Sequence, residues 1–143
     1  MEKSIASPNE AEISQILGID YGKSRVGLAL ADSETKMAFV LTTLLNDKNL
    51  LSNLAKIITE KNVKKIIIGV PAYVNKAEVE YDGERLGKLI KNVFTEMEIA
   101  YQDEMFTTKM AQDNLIAKGA RGIKRFDDQE AAKIILQSWL DRP

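Results

Sequence analysis

Asp20, Glu104 and Asp128 are the residues of this sequence best placed to do chemistry. The chain has no histidine and no cysteine. That removes the usual acid–base group near neutral pH, thiolate nucleophiles and cysteine zinc sites. Catalysis is left to carboxylates, lysine, tyrosine, hydroxyl groups or a metal-bound water, and hard oxygen donors suit Mg2+ or Mn2+ better than zinc. Asp20 ends the apolar run Ile16-Leu17-Gly18-Ile19. A short carboxylate is disfavoured in a strand, and a buried one needs a cation, hydrogen bonds or water. Glu104 follows a second short apolar run, and Asp128 stands where a final helix begins. There the helix dipole and free N–H groups favour an acid. If the three converge, they repel and raise one another's pKa unless cations bind. Two ions roughly 3.5–4 Å apart then activate water and stabilise a leaving oxygen. Each acid also has a structural reading: Asp20 opens a turn, Glu104 is a solvated strand end, and Asp128 is an N-cap.

The elements that must position these acids follow from patterning. Residues from about Ile16 to Ala31 read as a β-hairpin, with Asp20 near the end of its first strand and a return strand from Arg25. Gly22 and Gly27 let the backbone turn or pass close to a ligand. Gly22-Lys23-Ser24 imitates the end of a phosphate-binding P-loop. Leu17 stands where that motif needs glycine, and a strand pattern follows where it needs a helix, so the P-loop is rejected. Phe39 to Leu44 predicts a third strand, and three early strands in short succession suggest an antiparallel meander. Asn49 to Lys61 has helical spacing. Lys65 to Val70, ending at Pro71, reads as a central parallel strand. A helix is predicted from about Glu80 to Glu96, then a strand over Ile99 to Gln102. A helix capped by Thr107 or Thr108 runs to Lys118, and a last one is capped by Asp127 or Asp128. Between these last two lies a basic loop with Lys118, Arg121, Lys124 and Arg125. This order implies a mixed sheet flanked by helices. Ligands in such sheets collect at the carboxyl ends of the parallel strands.

With 143 residues, one domain is expected over 16–143, preceded by a flexible extension over 1–15. A hydrophobic fraction of 45% and a charged fraction of 29% suit a soluble globular protein. No apolar run approaches the ~20 residues a membrane span needs, and the first residues lack a secretory signal, so a cytoplasmic protein without a membrane partner is expected. A net charge of −1 neither suggests nor forbids nucleic acid; local clusters matter more. Trp139 and Tyr101 read as core residues rather than base-stacking platforms.

Four stretches resemble one family. Ile19-Asp20-Tyr21-Gly22 with Val26-Gly27-Leu28-Ala29 is similar to the opening of the YqgF/RuvX family, pre-16S rRNA nucleases related to RuvC-type Holliday-junction resolvases. Ile68-Gly69-Val70-Pro71, Asp103-Glu104-Met105-Phe106-Thr107-Thr108 and Asp128-Gln129-Glu130-Ala131-Ala132 resemble its later motifs, in the same order. The resemblance implies an α/β, RNase H-like fold: a five-stranded mixed sheet, first three strands antiparallel, flanked by helices. It implies that Asp20, Glu104 and Asp128 are the catalytic, metal-binding acids. Alignment on Ala131-Ala132 selects Asp128 over Asp127. Two departures bear on substrate contacts more than on metal: Met105 replaces the usual Arg, and Tyr73 to Ala77 replaces an Asn-x-Asp-Gly segment.

The expected function is therefore a Mg2+- or Mn2+-dependent endonuclease that cuts phosphodiester bonds in the 5′-end maturation of pre-16S rRNA. Lys23, Arg25, Lys118, Arg121, Lys124 and Arg125 would neutralise phosphates, and Thr107 or Thr108 would hydrogen-bond one. The partners are structured RNA, or branched DNA, and a ribosome precursor, with the protein a monomer or weak dimer. The rivals are a Holliday-junction-type DNA resolvase and a non-catalytic nucleic-acid-binding module on the same fold.

Overall fold

The computed structural model describes residues 13–71, 81–103 and 128–143. Five strands form one sheet: β1 (Gln15–Tyr21), β2 (Arg25–Asp32), β3 (Phe39–Leu45), β4 (Val63–Val70) and β5 (Glu98–Asp103). Among the described residues three helices accompany them: α1 (Leu50–Glu60), α2 (Asp82–Val93) and α3 (Asp128–Leu140). The spatial order is β3-β2-β1-β4-β5. The β1–β2 and β2–β3 pairs are antiparallel, whereas β1–β4 and β4–β5 are parallel. The expected mixed sheet and meander are both present. A strand follows Gly22-Lys23-Ser24, as rejection of the P-loop required.

The predicted segments lie within a few residues of the observed ones. Strand β4 starts two residues early, at Val63, and β5 runs on through Asp103. Asn62 adopts a left-handed backbone (φ 55°) just past α1, a conformation asparagine tolerates at helix ends. Its carbonyl accepts the Gln15 N–H at 3.0 Å, so the same turn seats the start of β1. Residues 1–12 of the predicted extension over 1–15, the segment 72–80 that includes Tyr73 to Ala77, and all of 104–127 lie outside the described residues. The predicted Thr-capped helix and the basic loop fall in the last of these.

Strand alternation sorts the side chains into two cores. Leu17 and Ile19 of β1 and Ile66 and Ile68 of β4 join Leu54 and Ile58 of α1 and Leu86 and Ile90 of α2 on one face. On the other face, Ile16, Ala29, Ala31 and Ile67 pack against Ala132, Ile135 and Leu136 of α3. The central strand β1 is thus covered on both sides, and Asp20 belongs to the α3 side. Tyr101 packs against the first core and Trp139 against the second, with the Lys65 ammonium 4.7 Å from the Trp139 ring centre.

Candidate active site

The three parallel strands β1, β4 and β5 end together at Tyr21, Val70 and Asp103. Asp20 pairs across the antiparallel ladder with Gly27, and directly opposed residues point their side chains to the same face. Gly27 leaves that position empty, and the first turn of α3 fills it. A Cβ built on Gly27 would stand 1.9 Å from the Asp128 carbonyl oxygen and 2.9 Å from the Asp128 Cβ. Because opposed Cβ positions lie ~4.5–5.5 Å apart and the built Cβ is 2.9 Å from that of Asp128, the Cβ atoms of Asp20 and Asp128 are separated by no more than about 8.5 Å. The two acids, far apart in the chain, share one face of the sheet at one end. Gly27 was expected to let the backbone turn or approach a ligand; its vacant side is taken by helix backbone instead.

Small residues along this face let α3 sit close. A Cβ on Gly18 would meet Leu136 Cβ at 2.7 Å and the Ala132 carbonyl at 3.0 Å. Ala29 and Ala31 continue the strip on β2, and Ala132 faces it from the helix. Helix α3 therefore runs from Gly27 on β2 towards Gly18 on β1 with little side-chain bulk between. Asp128 is carried in the helix's first turn.

Arg25 lies two residues before Gly27 on the same side of β2. Its Nε donates to Asp128 Oδ2 at 2.8 Å, and both side chains are partly exposed. This pair was not anticipated: Arg25 was assigned to phosphate, yet it holds one oxygen of Asp128. Lys23 is exposed in the turn between β1 and β2, at the same end of the sheet. That turn is tight, with the Gly22 N–H donating to the Arg25 carbonyl at 3.0 Å. The Asn46 side-chain amide donates to the Gly22 carbonyl at 2.7 Å and fixes the turn to the end of β3.

The row that contains Asp20 continues across the sheet. Asp20 stands one step past the Ile19–Ile68 pair, beside Gly69, and Gly69 pairs with Gln102 of β5. Gln102 shares the α3 face with Asp20, and its Oε1 is buried with no hydrogen-bond partner among the described residues. Sequence reading passed over Gln102 as the end of a strand. The available signal was a polar residue two positions beyond Ala100 on the same face of the strand.

Glu104 follows Asp103 immediately and lies outside the described residues, as do Thr107, Thr108, Lys118, Arg121, Lys124 and Arg125. Among the described residues no group of three potential metal-binding side chains occurs. The structure thus brings together Asp20, Arg25 and Asp128, with Lys23 nearby.

Residues 14–142 match the RuvX family, described as Holliday junction resolvase. The chain belongs to the RuvX family. Its relatives include a protein of Porphyromonas gingivalis described as "Putative pre-16S rRNA nuclease", 36% identical over 138 residues that span 92% of this chain and 99% of that one. A protein of Sulfurihydrogenibium sp. with the same description is 32% identical over 133 residues, 91% of this chain and 92% of its own. Among solved structures, Thermus thermophilus RuvC in complex with Holliday junction substrate superposes with a TM-score of 0.58 at 16% identity, covering 89% of this chain and 93% of that one. The fowlpox virus resolvase with its Holliday junction DNA superposes at 0.56 and 15% identity, covering 88% and 96%. At such identities the likeness is one of fold, and RuvX shares the RNase H-like architecture of these resolvases.

Proposed function

We propose that this RuvX protein is a divalent-cation-dependent endonuclease that trims the 5′ end of precursor 16S rRNA in the cytoplasm. The observation that carries this reading is the meeting of Asp20 and Asp128 across the vacant side of Gly27 at the carboxyl end of β1. Two carboxylates on one face attract a cation that relieves their repulsion. Asp20 and Asp128 offer carboxylate oxygens at this end of the sheet, and the chain has neither histidine nor cysteine. That donor set fits Mg2+ or Mn2+. Asp20, Glu104 and Asp128 would hold the metal, which supplies an activated water and charge stabilisation for the leaving oxygen.

The chain's own residues then divide the remaining work. Arg25 orients Asp128 by occupying one of its oxygens. Lys23 faces solvent beside the site, where a phosphate backbone would pass. Thr107, Thr108, Lys118, Arg121, Lys124 and Arg125 are assigned to further phosphate contacts. The RNA substrate is the one named in the descriptions of the two relatives above. The family description favours a second reading, resolution of four-way DNA junctions, which requires paired, symmetric cuts by a dimer.

The test is cleavage of matched precursor RNA, duplex DNA and a four-way junction with Mg2+, Mn2+ or chelator. Asp20→Asn should lower Mg2+-dependent cleavage by more than about 100-fold, the upper range for losing a residue that merely supports a metal ligand, while circular dichroism stays native. Unchanged cleavage in that variant rules out the assigned site. Paired nicks on the junction with intact RNA select the resolvase. RNA binding that survives chelator without any cleavage selects a non-catalytic module.

A further inference from the structure

Gln102 is the one polar side chain of β5 on the α3 face that has an orphaned atom. Its Oε1 is buried and accepts no hydrogen bond among the described residues. A buried acceptor without a donor is costly, and native structures keep one for a reason such as function or a bound water or ion. Its place in the sheet suggests which reason applies. Gln102 pairs with Gly69, and Gly69 lies beside Asp20. With strands ~4.8 Å apart, the Gln102 and Asp20 backbones are separated by roughly 10 Å, with only a glycine between them in the row. Neighbours on the other rows are otherwise filled: Ile67 with Ala100 belongs to the α3 core, and Ile68 with Tyr101 to the opposite one. The orphaned oxygen thus falls on the row of the acid assigned to metal.

Mg2+ sheds water reluctantly and keeps several waters when protein carboxylates bind it. Those waters are strong donors that need acceptors. We propose that Gln102 is a positioning residue whose side-chain oxygen accepts a hydrogen bond from the hydration shell of the cation held at Asp20. It fixes that shell and is not itself an inner ligand. The inference rests on the metal-site reading above and adds to it a residue from the third parallel strand.

The test compares Mn2+ binding by titration calorimetry in wild type, Gln102→Leu and Asp20→Asn, alongside thermal melting of each without metal. Gln102→Leu should weaken Mn2+ binding about 10-fold or more, as loss of an outer-shell partner does. Its metal-free melting temperature should stay level or rise, because an unpaired buried acceptor has been removed. If Gln102→Leu binds Mn2+ like wild type while Asp20→Asn does not, Gln102 has no part in the site and the inference fails alone. If Asp20→Asn also binds like wild type, the metal-site reading fails and takes this one with it. Should Gln102→Leu not fold, Gln102→Met removes the same acceptor in a more flexible side chain and is read the same way.

Discussion

Gly27 sets how closely Asp128 approaches Asp20 without contributing a side-chain atom of its own. It sits in ordinary strand backbone, so its value lies in space rather than in conformational freedom. The atoms a Cβ would strike first belong to the Asp128 backbone, 1.9 Å and 2.2 Å away. A flexible side chain could step aside, whereas the first turn of a helix cannot without moving the helix. Gly27→Ala should therefore cost about 3 kcal/mol or more, the top of the usual range for overpacking, measured by urea unfolding. It should also reduce cleavage, because the same shift carries Asp128 away from Asp20. A variant of wild-type stability would mean that α3 can retreat at little cost. Arg25 acts on the same acid by a different route. Its pair with Asp128 is partly solvated, so its worth to stability is about 1 kcal/mol or less, and its larger consequence is to orient the carboxylate.

At the scale of elements, the link between β2 and β3 is built to hold α3 in register. The Gln137 side-chain oxygen accepts the Ala38 N–H at 2.9 Å, and its amide donates to the Lys36 carbonyl at 3.3 Å. Helix and turn are thereby tied together at the end of the sheet opposite the site. The turn itself is closed by Asp32, whose Oδ1 accepts the N–H groups of Glu34 at 2.8 Å and Thr35 at 2.7 Å. The backbone bond from Thr35, then that from Glu34, hold the Asp32 carboxyl below its ordinary range. A carboxylate with a depressed folded-state pKa stabilises the fold above its unfolded value near ~4, and that contribution is lost as pH falls through the folded value. The stability difference between wild type and Asp32→Ala should be constant from about pH 5 to 8 and shrink below about pH 4. A difference independent of pH down to strong acid would show that the turn does not depend on the charge.

Across the whole molecule, one sheet separates two jobs. The face covered by α1 and α2 is lined by large aliphatic side chains and supplies most of the core. The face under α3 sets glycine and alanine beside Ile16 and Ile67, and these small residues admit a close helix. Asp20 and Asp128 meet where the second side reaches the carboxyl ends of the parallel strands, the site proposed for the cation. A cation bound there stabilises the folded state by mass action. With Mg2+ at 100 times its dissociation constant the gain is about 2.7 kcal/mol, which raises the melting temperature of a chain this size by roughly 5–10 °C. Asp20→Asn should erase that rise. An equal Mg2+ response in both proteins would place the cation elsewhere.

The strand and helix segments were legible because their signals are local. The apolar run ending at Ile19, the apolar run Lys65 to Val70 and the helical spacing of Leu50, Leu54 and Ile58 each depend on a few neighbouring residues, and all three appear as expected. Asp20 and Asp128 could be singled out as acids at element ends by the same means. That they meet could not be read from patterning, because it depends on how deeply α3 settles. That depth is a sum over Gly18, Gly27, Ala29 and Ala31, residues whose smallness looks unremarkable until the helix is laid over them. The bond from Arg25 to Asp128 spans 103 positions, and the row from Asp20 through Gly69 to Gln102 crosses three strands. Such relations exist only after register and packing are set. Local preference chooses the elements, and the burial of facing surfaces chooses which of their side chains become neighbours.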